Sequence, residues 1–182
     1  DESTAVKWYR KAAEQGDARA QYNLGVMYDN GKGVAKDEST AVEWFRKAAE
    51  QGHAKAQSNL GIMYEQGVGV AKDDSTAVKW NRKAAKQGDA RAQNNLARML
   101  AYGQGVTQNF SEALRWLRKA VAQGDESATI GIEHVQYMQE QQQQAAAAAQ
   151  SSPSPAPIPI STTVQLRGLQ AKPELNGQRG VV

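Results

Sequence analysis

Two histidines are the side chains best suited to chemistry in this sequence, because imidazole can act as a general base or bind a metal near neutral pH. His53 and His134 lie far apart, and neither has a second histidine, a cysteine or a paired carboxylate motif beside it. The 182 residues contain no cysteine, which excludes disulfides, thiolate catalysis and cysteine-ligated zinc within them. A Gly-x-Ser-x-Gly nucleophile motif is also missing. We therefore predict no catalytic residue, no metal site and no enzymatic activity.

Glycine-rich turns are a second candidate for chemistry, because such turns can hold phosphate groups. Three Gly-x-Gly motifs occur, at residues 31–33, 67–69 and 103–105. None ends in Gly-Lys-Ser or Gly-Lys-Thr, and no predicted strand precedes any of them. We interpret all three as turns that end helices, and we predict no bound nucleotide or other cofactor.

The elements that position these residues belong to a tandem repeat. Tryptophan recurs every 36 residues, together with most of the residues around it. The copies span residues 1–36, 37–72 and 73–108, with a degenerate fourth copy at 109–144. A period of this length predicts an all-α solenoid, in which each repeat packs mainly on its neighbours and the array presents a long surface. Such a surface favours binding over catalysis.

Each repeat is predicted to contain two helices. In the second copy, Asp37 or Ser39 caps a first helix that carries apolar residues on one face and ends at Gly52. A second helix is predicted over about residues 54–66. Since tryptophan falls on the apolar face of the first helix in every copy, we predict that all four tryptophans are core residues: Trp8, Trp44, Trp80 and Trp116.

One position in the second helix indicates where the array ends. Gly25 and Gly61 occupy it in the first two copies, although glycine inside a helix costs about 1 kcal/mol relative to alanine. We therefore predict that a neighbouring helix passes too close there for a side chain. The fourth copy has Glu133 at this position, and we expect its second helix to be an end cap that no further repeat covers.

The repeat resembles the Sel1-like repeat, a relative of the tetratricopeptide repeat. The resemblance rests on the runs AVEWFRKAAEQG at 41–52, AKAQSNLGIMY at 54–64 and GVGV at 67–70, which return in the other copies. It implies a right-handed α-solenoid of antiparallel helix pairs. It also implies an adaptor or scaffold that binds other proteins, as most members of this family do.

Positions that vary between copies are the best candidates for recognition, because the scaffold does not dictate them. Tyr9 and Tyr22 are the strongest of these, since tyrosine is enriched among residues that contribute most to binding. Lys55 and Arg91 belong to a third variable position, which is basic in three copies. The complete predicted contact set is Tyr9, Tyr22, Phe45, Lys55, Ser58, Arg91 and Asn94.

The charge distribution narrows the class of partner. The chain has a net charge of +3, but residues beyond 144 carry +2 of it, so the repeats are nearly neutral. This argues against nucleic acid as the partner of the repeats and favours a protein or peptide of unknown identity. An Arg-Lys pair recurs in each first helix, and we interpret these cations as a complement to the helix dipole.

No apolar run is long enough to insert in a membrane. The lack of cysteine slightly favours the cytoplasm but leaves the compartment open, and the sequence leaves the oligomeric state open too.

The C-terminal part of the sequence differs from the repeats. Residues 145–163 are rich in Ala, Ser and Pro and are predicted to form a linker. Residues 164–182 resemble the opening of an SH3-like small barrel found in multidomain proteins of unicellular eukaryotes, through Val164-x-Leu166-x-Gly168-Leu169 and a later Asn-Gly hairpin signal. A nucleic-acid-binding role for this barrel is one alternative function.

We expect the sequence to be a fragment of a longer chain, because it begins at the first residue of a repeat and stops inside a predicted strand. The leading hypothesis is a noncatalytic scaffold that binds a protein or peptide on the solenoid surface. A further alternative is a regulatory or targeting arm of a larger enzyme, whose catalytic domain lies outside these residues.

Overall fold

The computed structural model describes residues 1–151, which form an all-α solenoid without strands. The prediction of the fold class is confirmed for this part, and the second helix of the second copy has the predicted bounds. The eight helices are α1 (Glu2–Glu14), α2 (Ala18–Asn30), α3 (Glu38–Glu50), α4 (Ala54–Gln66), α5 (Asp74–Lys86), α6 (Ala90–Tyr102), α7 (Phe110–Val121) and α8 (Glu126–Ser151).

The odd-numbered helices begin at side chains that accept hydrogen bonds from backbone N–H groups. Asp37 caps α3 by accepting from Thr40 N, at 3.0 Å, so Asp37 and not Ser39 is the cap. Asp73 caps α5 in the same way. Hydrogen bonds from the Thr76 hydroxyl and N–H to this carboxylate lower the pKa of Asp73 to about 2. The carboxylates of Asp37 and Asp73 therefore hold their negative charge at the positive ends of the α3 and α5 dipoles.

The Gly-x-Gly motifs end the even-numbered helices, as predicted. Gly67 follows α4 with φ 73°, in the left-handed conformation that glycine adopts at low cost. Gly69 lies against the backbone of Glu38, so that a β-carbon there would overlap the carbonyl of that residue. The second glycine of the motif thus lets the loop pack on the start of α3.

Even-numbered helices line one side of the solenoid and odd-numbered helices line the other. Consecutive helices pack in chain order, and α2 packs on α3 more extensively than on α1. Within residues 1–151, α4 also touches α6 and α6 touches α8, whereas no pair of odd-numbered helices comes as close. The closer spacing places the even-numbered helices on the inner side of the curve. We call their solvent-facing surface the inner face.

Adjacent repeats meet at the helical glycines. A β-carbon on Gly25 would lie 2.8 Å from the ring of Phe45, and one on Gly61 would lie 2.8 Å from the side chain of Asn81. These distances confirm the predicted close approach of a neighbouring helix. The side chain that makes the approach comes from the first helix of the next repeat, so this contact fixes how one repeat sits on the other.

Buried glutamines join successive repeats through a row of side-chain hydrogen bonds. Gln57 is 4% exposed, and its Nε2 donates to the carbonyl of Ala49 at 2.9 Å. Its Oε1 accepts from Gln87 Nε2 of the next repeat at 2.7 Å. The same pattern occurs in the pairs Gln21–Gln51 and Gln93–Gln123. Thr129 takes the corresponding place in α8, where the row stops.

The prediction that all four tryptophans are core residues is wrong for Trp8, which is 66% exposed. Trp116 is 5% exposed, while Trp44 and Trp80 are half-buried and each packs on the apolar cluster of the preceding repeat. Trp8 lies in the first helix and has no earlier helix to pack on in this structure. The lysine three residues after each tryptophan lies over the indole ring. Lys47 Nζ, for example, lies 4.1 Å from the centroid of the Trp44 ring.

The last helix agrees with the predicted end of the array. Glu133 is exposed on α8, and no described helix covers it. α8 continues through residues 145–151, which the sequence assigned to the linker. The rest of that linker and the whole predicted SH3-like segment lie outside the described residues.

Candidate functional site

A cleft of about 400 Å³ on the inner face crosses three repeats. Tyr22 and Val26 on α2, Asn59 and Ile62 on α4, and Arg91 on α6 line it. The cleft therefore offers aromatic and aliphatic side chains, several amides, a guanidinium and the carboxylate of Asp29 to one ligand. Such a mixture of apolar area and a few polar groups is typical of binding surfaces.

Two further clefts lie toward the beginnings of the even-numbered helices. Arg19 and His53 line one of about 430 Å³, and Asp89 and Arg91 line another of about 250 Å³. Tyr22 and Lys55 line both. The three clefts share Tyr22, so its side chain lies at the centre of the candidate site.

A row of cations runs along this edge of the inner face. Arg19, Lys55 and Arg91 occupy the same position in successive repeats, and all three are exposed. None of them forms an ion pair in the part of the chain that the structure describes. Arg91 donates to the side-chain oxygen of Asn59, at 3.3 Å.

His53 has a structural role beside this row. Its Nδ1 accepts from Ala56 N at 3.3 Å and caps α4, where aspartate caps α2 and α6. Its ring stacks on Tyr22, with 4.7 Å between centroids and 21° between planes. Burial lowers the pKa of His53, and the positive charges of Lys55 and Arg19 lower it further. A neutral ring that accepts a backbone hydrogen bond suits a cap and not a metal ligand or general base.

The structure separates the predicted contact residues into groups. Tyr22, Lys55 and Arg91 lie together in the clefts. Asn94 lies farther along the inner face, where it donates to Ser127 Oγ at 2.7 Å. Tyr9 is half-buried in the N-terminal apolar cluster and lies apart from the others.

Two predicted contact residues lie beneath the surface, at the floor of the clefts. Phe45 is fully buried against Gly25 and Ser58 is 2% exposed, so neither side chain projects from the inner face. Their variation between copies reflects packing between repeats: Phe45 occupies the position of Asn81 and Leu117, which are buried as well. Sequence reasoning missed Val26, Ile62 and Asn59. Asn59 carried a signal, because Asn23 and Asn95 occupy its position in the neighbouring copies.

A separate cleft of about 270 Å³ lies between α6 and α8 and is mainly apolar. Ala101, Leu117 and Ile130 contribute to it, and Ile130 is 70% exposed. At its edge, Tyr102 Oη lies 2.7 Å from His134 Nε2, which gives the second histidine a hydrogen-bonding partner. Among the described residues, no group of three or more acidic, histidine or cysteine side chains is arranged to hold a metal. Nor is any helix of this part long and apolar enough to span a membrane.

The fold defines a tandem helical-repeat protein whose inner face is an extended surface with several clefts. The Sel1 repeat family model matches residues 1–17, 18–53, 54–89 and 90–125, and the chain belongs to this family. Proteins built of Sel1 repeats are generally noncatalytic scaffolds for protein interaction. No curated protein sequence matches the chain significantly.

Solved structures of bacterial proteins share the fold. A protective antigen of uropathogenic Escherichia coli with the SLR fold is 38% identical, with a TM-score of 0.71, over 74% of this chain and 29% of that one. A Sel1 repeat protein from Oxalobacter formigenes is 41% identical, with a TM-score of 0.64, over 71% and 56%. The Helicobacter pylori cysteine rich protein B is 25% identical, with a TM-score of 0.55, over 69% and 90%. The chain thus spans less than two thirds of the length of the first two.

The family model places the repeat boundary half a repeat away from the boundary chosen from the sequence. It begins each unit at an even-numbered helix, so α2 and α3 form one unit over residues 18–53. The packing supports this choice, because α2 contacts α3 more extensively than α1. The period is the same in both descriptions, and the choice of boundary moves no residue on the inner face.

Proposed function

We propose that this chain is an interaction scaffold whose inner face binds an extended segment of a partner protein. The observation that carries the proposal is the cleft across α2, α4 and α6, which is open and continues through two further clefts around Tyr22. A continuous, open surface that crosses repeats fits an elongated ligand better than a compact small molecule.

The amide side chains support an extended peptide as the ligand. Asn23, Asn59 and Asn95 are half-buried and recur once per repeat. An amide side chain offers both a donor and an acceptor, which match the C=O and N–H groups that an extended backbone exposes. Asn95 Nδ2 is buried and has no hydrogen-bond partner, so one of these donors is unsatisfied in the free protein.

Tyr22 supplies the candidate anchor. Its ring packs on Phe45 below, with 5.8 Å between centroids, and stacks on His53 at its side. Its rotamer is therefore held before a ligand arrives, which reduces the entropy lost on binding. Rigid tyrosines at the centre of a surface are common binding hot spots.

A peptide selection tests the proposal. A random peptide library displayed on phage is selected against the full chain, and an enriched peptide is titrated by calorimetry. We expect Ile62→Glu, which places a charge in the cleft, to weaken binding by about tenfold or more, equivalent to about 1.4 kcal/mol.

The matched control is Val121→Glu, which places the same charge on the exposed end of α7. This variant should change the affinity by less than about twofold. The proposal is wrong if selection enriches no peptide, or if Val121→Glu weakens binding as much as Ile62→Glu while both variants remain folded by circular dichroism.

A further inference from the structure

The cation row formed by Arg19, Lys55 and Arg91 carries charge that the fold leaves unneutralised. Two other arginines of the described residues are paired: Arg82 lies 2.9 Å from Glu112, and Arg98 lies 2.5 Å from Glu65. The three members of the row form no ion pair in this part of the chain. Because they are exposed beside the clefts of the inner face, a ligand can reach them.

The carboxylates two residues before Arg19 and Arg91 are committed to helix caps. Asp17 accepts from Ala20 N at 2.6 Å, and Asp89 accepts from Ala92 N at 2.8 Å. In the middle repeat the cap is His53, so a carboxylate is missing next to Lys55. The centre of the row therefore has the largest excess of positive charge.

The floor of the cleft beside Lys55 holds a further unsatisfied group. Ser58 lines this cleft with Asn59 and Arg91, and its buried Oγ has no hydrogen-bond partner. Buried hydroxyl groups are normally hydrogen-bonded, so an unpartnered one at a charged cleft is consistent with a site that is completed by a ligand.

The repeat spacing sets the register of a charged ligand. Neighbouring even-numbered helices approach each other at this edge, where the Tyr22 ring stacks on His53 and Arg91 reaches Asn59. Helices in contact typically have axes about 10 Å apart, and we take this distance as the separation of equivalent residues in successive repeats. A polyproline II segment has three residues per turn and rises about 3.1 Å per residue, which returns a side chain to the same face every 9 Å or so. Every third side chain of such a segment therefore meets one repeat.

We propose that the partner segment is acidic, with carboxylates at every third residue of a polyproline II stretch that pair with Arg19, Lys55 and Arg91. This inference rests on the proposed function and adds the chemistry of the ligand. An acidic peptide fits better than nucleic acid, because the caps Asp17 and Asp89 interrupt the positive field beside the row and would repel a continuous run of phosphates.

Two fluorescent peptides of identical composition test the register by anisotropy with the full chain. One carries Glu-Pro-Ser-Glu-Pro-Ser-Glu, and the other carries Glu-Glu-Glu-Pro-Ser-Pro-Ser. We expect the first to bind at least about fivefold more tightly, because its three carboxylates can face the three cations together, whereas adjacent carboxylates of the second point in different directions and only one can face the row at a time. Lys55→Gln should weaken the first peptide by about two- to fivefold, whereas Lys79→Gln on the exposed side of α5 should leave it unchanged.

Any of three results would overturn the inference. The two peptides could bind with equal affinity, or Lys55→Gln and Lys79→Gln could have equal effects on binding. A thymidine oligonucleotide could also displace the first peptide at a lower concentration than the unlabelled peptide does. The phage selection distinguishes this failure from failure of the proposed function. The selection could enrich peptides that bind the Ile62→Glu variant weakly but have no acidic residue at every third position. In that case the inner face binds peptides, and the proposed acidic register is wrong.

Discussion

Gln57 and Gln87 are joined side chain to side chain across two repeats, with 2.7 Å between Oε1 and Nε2. Gln57 also donates to the carbonyl of Ala49 at the end of α3. One buried amide thus ties three helices together and uses both of its polar atoms. This satisfied, repeated contact fixes the register of the repeats and, with it, the alignment of the inner face.

Gln57→Ala is predicted to destabilise the chain by about 1–3 kcal/mol, because it removes a buried side chain together with its hydrogen bonds to the Ala49 carbonyl and to Gln87. Urea unfolding followed by circular dichroism measures the loss. Gln66→Ala, on the exposed last residue of α4, is the control and should cost less than about 0.5 kcal/mol. Similar losses for the two variants would mean that the glutamine row does not stabilise the array.

Asn81→Leu is predicted to stabilise the protein by about 1–3 kcal/mol. Asn81 is fully buried, its Oδ1 has no partner, and its Nδ2 donates only to the sulfur of Met99, at 3.7 Å. Leucine has nearly the same shape and stands at the equivalent position 117. The melting temperature should rise by about 2–4 °C per kcal/mol in a chain of this size. A fall would show that the amide is satisfied in solution or that leucine overlaps Gly61.

The tryptophans should differ in their contribution to stability. Trp116→Ala is predicted to cost about 3–5 kcal/mol, because the ring is buried between repeats. Trp8→Ala should cost less than about 1 kcal/mol, since that ring is 66% exposed. Urea unfolding of both variants measures the difference. Equal losses would restore the interpretation of all four rings as core residues.

His53 should make stability depend on pH between neutral and mildly acidic conditions. The pKa of this ring is lowered in the folded state, so on acidification the unfolded chain takes up the proton first. The contribution of neutral His53 is complete above pH 6.5 or so and is lost as the pH falls toward the folded-state pKa. We expect the melting temperature to fall between pH 7.5 and 5.5.

His53→Asp restores the cap found at α2 and α6 and is the matched variant for this effect. It should be more stable at neutral pH by up to about 1 kcal/mol and should lose less stability on acidification. If the variant and the wild type lose the same stability between pH 7.5 and 5.5, another group is responsible.

The period of the sequence was sufficient to predict the helices, the turns and the end of the array. Helix bounds such as 54–66 follow from caps, apolar spacing and glycine, all of which are local signals. Gly25 also indicated the close approach of a neighbour correctly, because glycine inside a helix needs a reason. These features depend on residues close in sequence, which one repeat already contains.

The burial of each side chain could not be predicted from such local signals. Helical spacing places Trp8 and Trp44 on the same face, but their burial depends on whether a preceding repeat covers that face. Phe45 appeared to be a variable surface residue, yet it varies because it packs against Gly25. The glutamine row links residues 30 apart on different repeats, and its hydrogen bonds become visible only when the repeats are stacked.

Photo-crosslinking tests the central claim, that partners bind the inner face, most directly. Benzoyl-phenylalanine replaces Tyr22 in one variant and Trp8 in another, and each is irradiated with a peptide selected on the wild-type chain. Trp8 serves as the control, because it is an exposed aromatic residue on the opposite side of the solenoid. We expect mass spectrometry to find the peptide attached at position 22 and not at position 8. Attachment mainly at position 8 would contradict the account and move the binding surface to the odd-numbered helices.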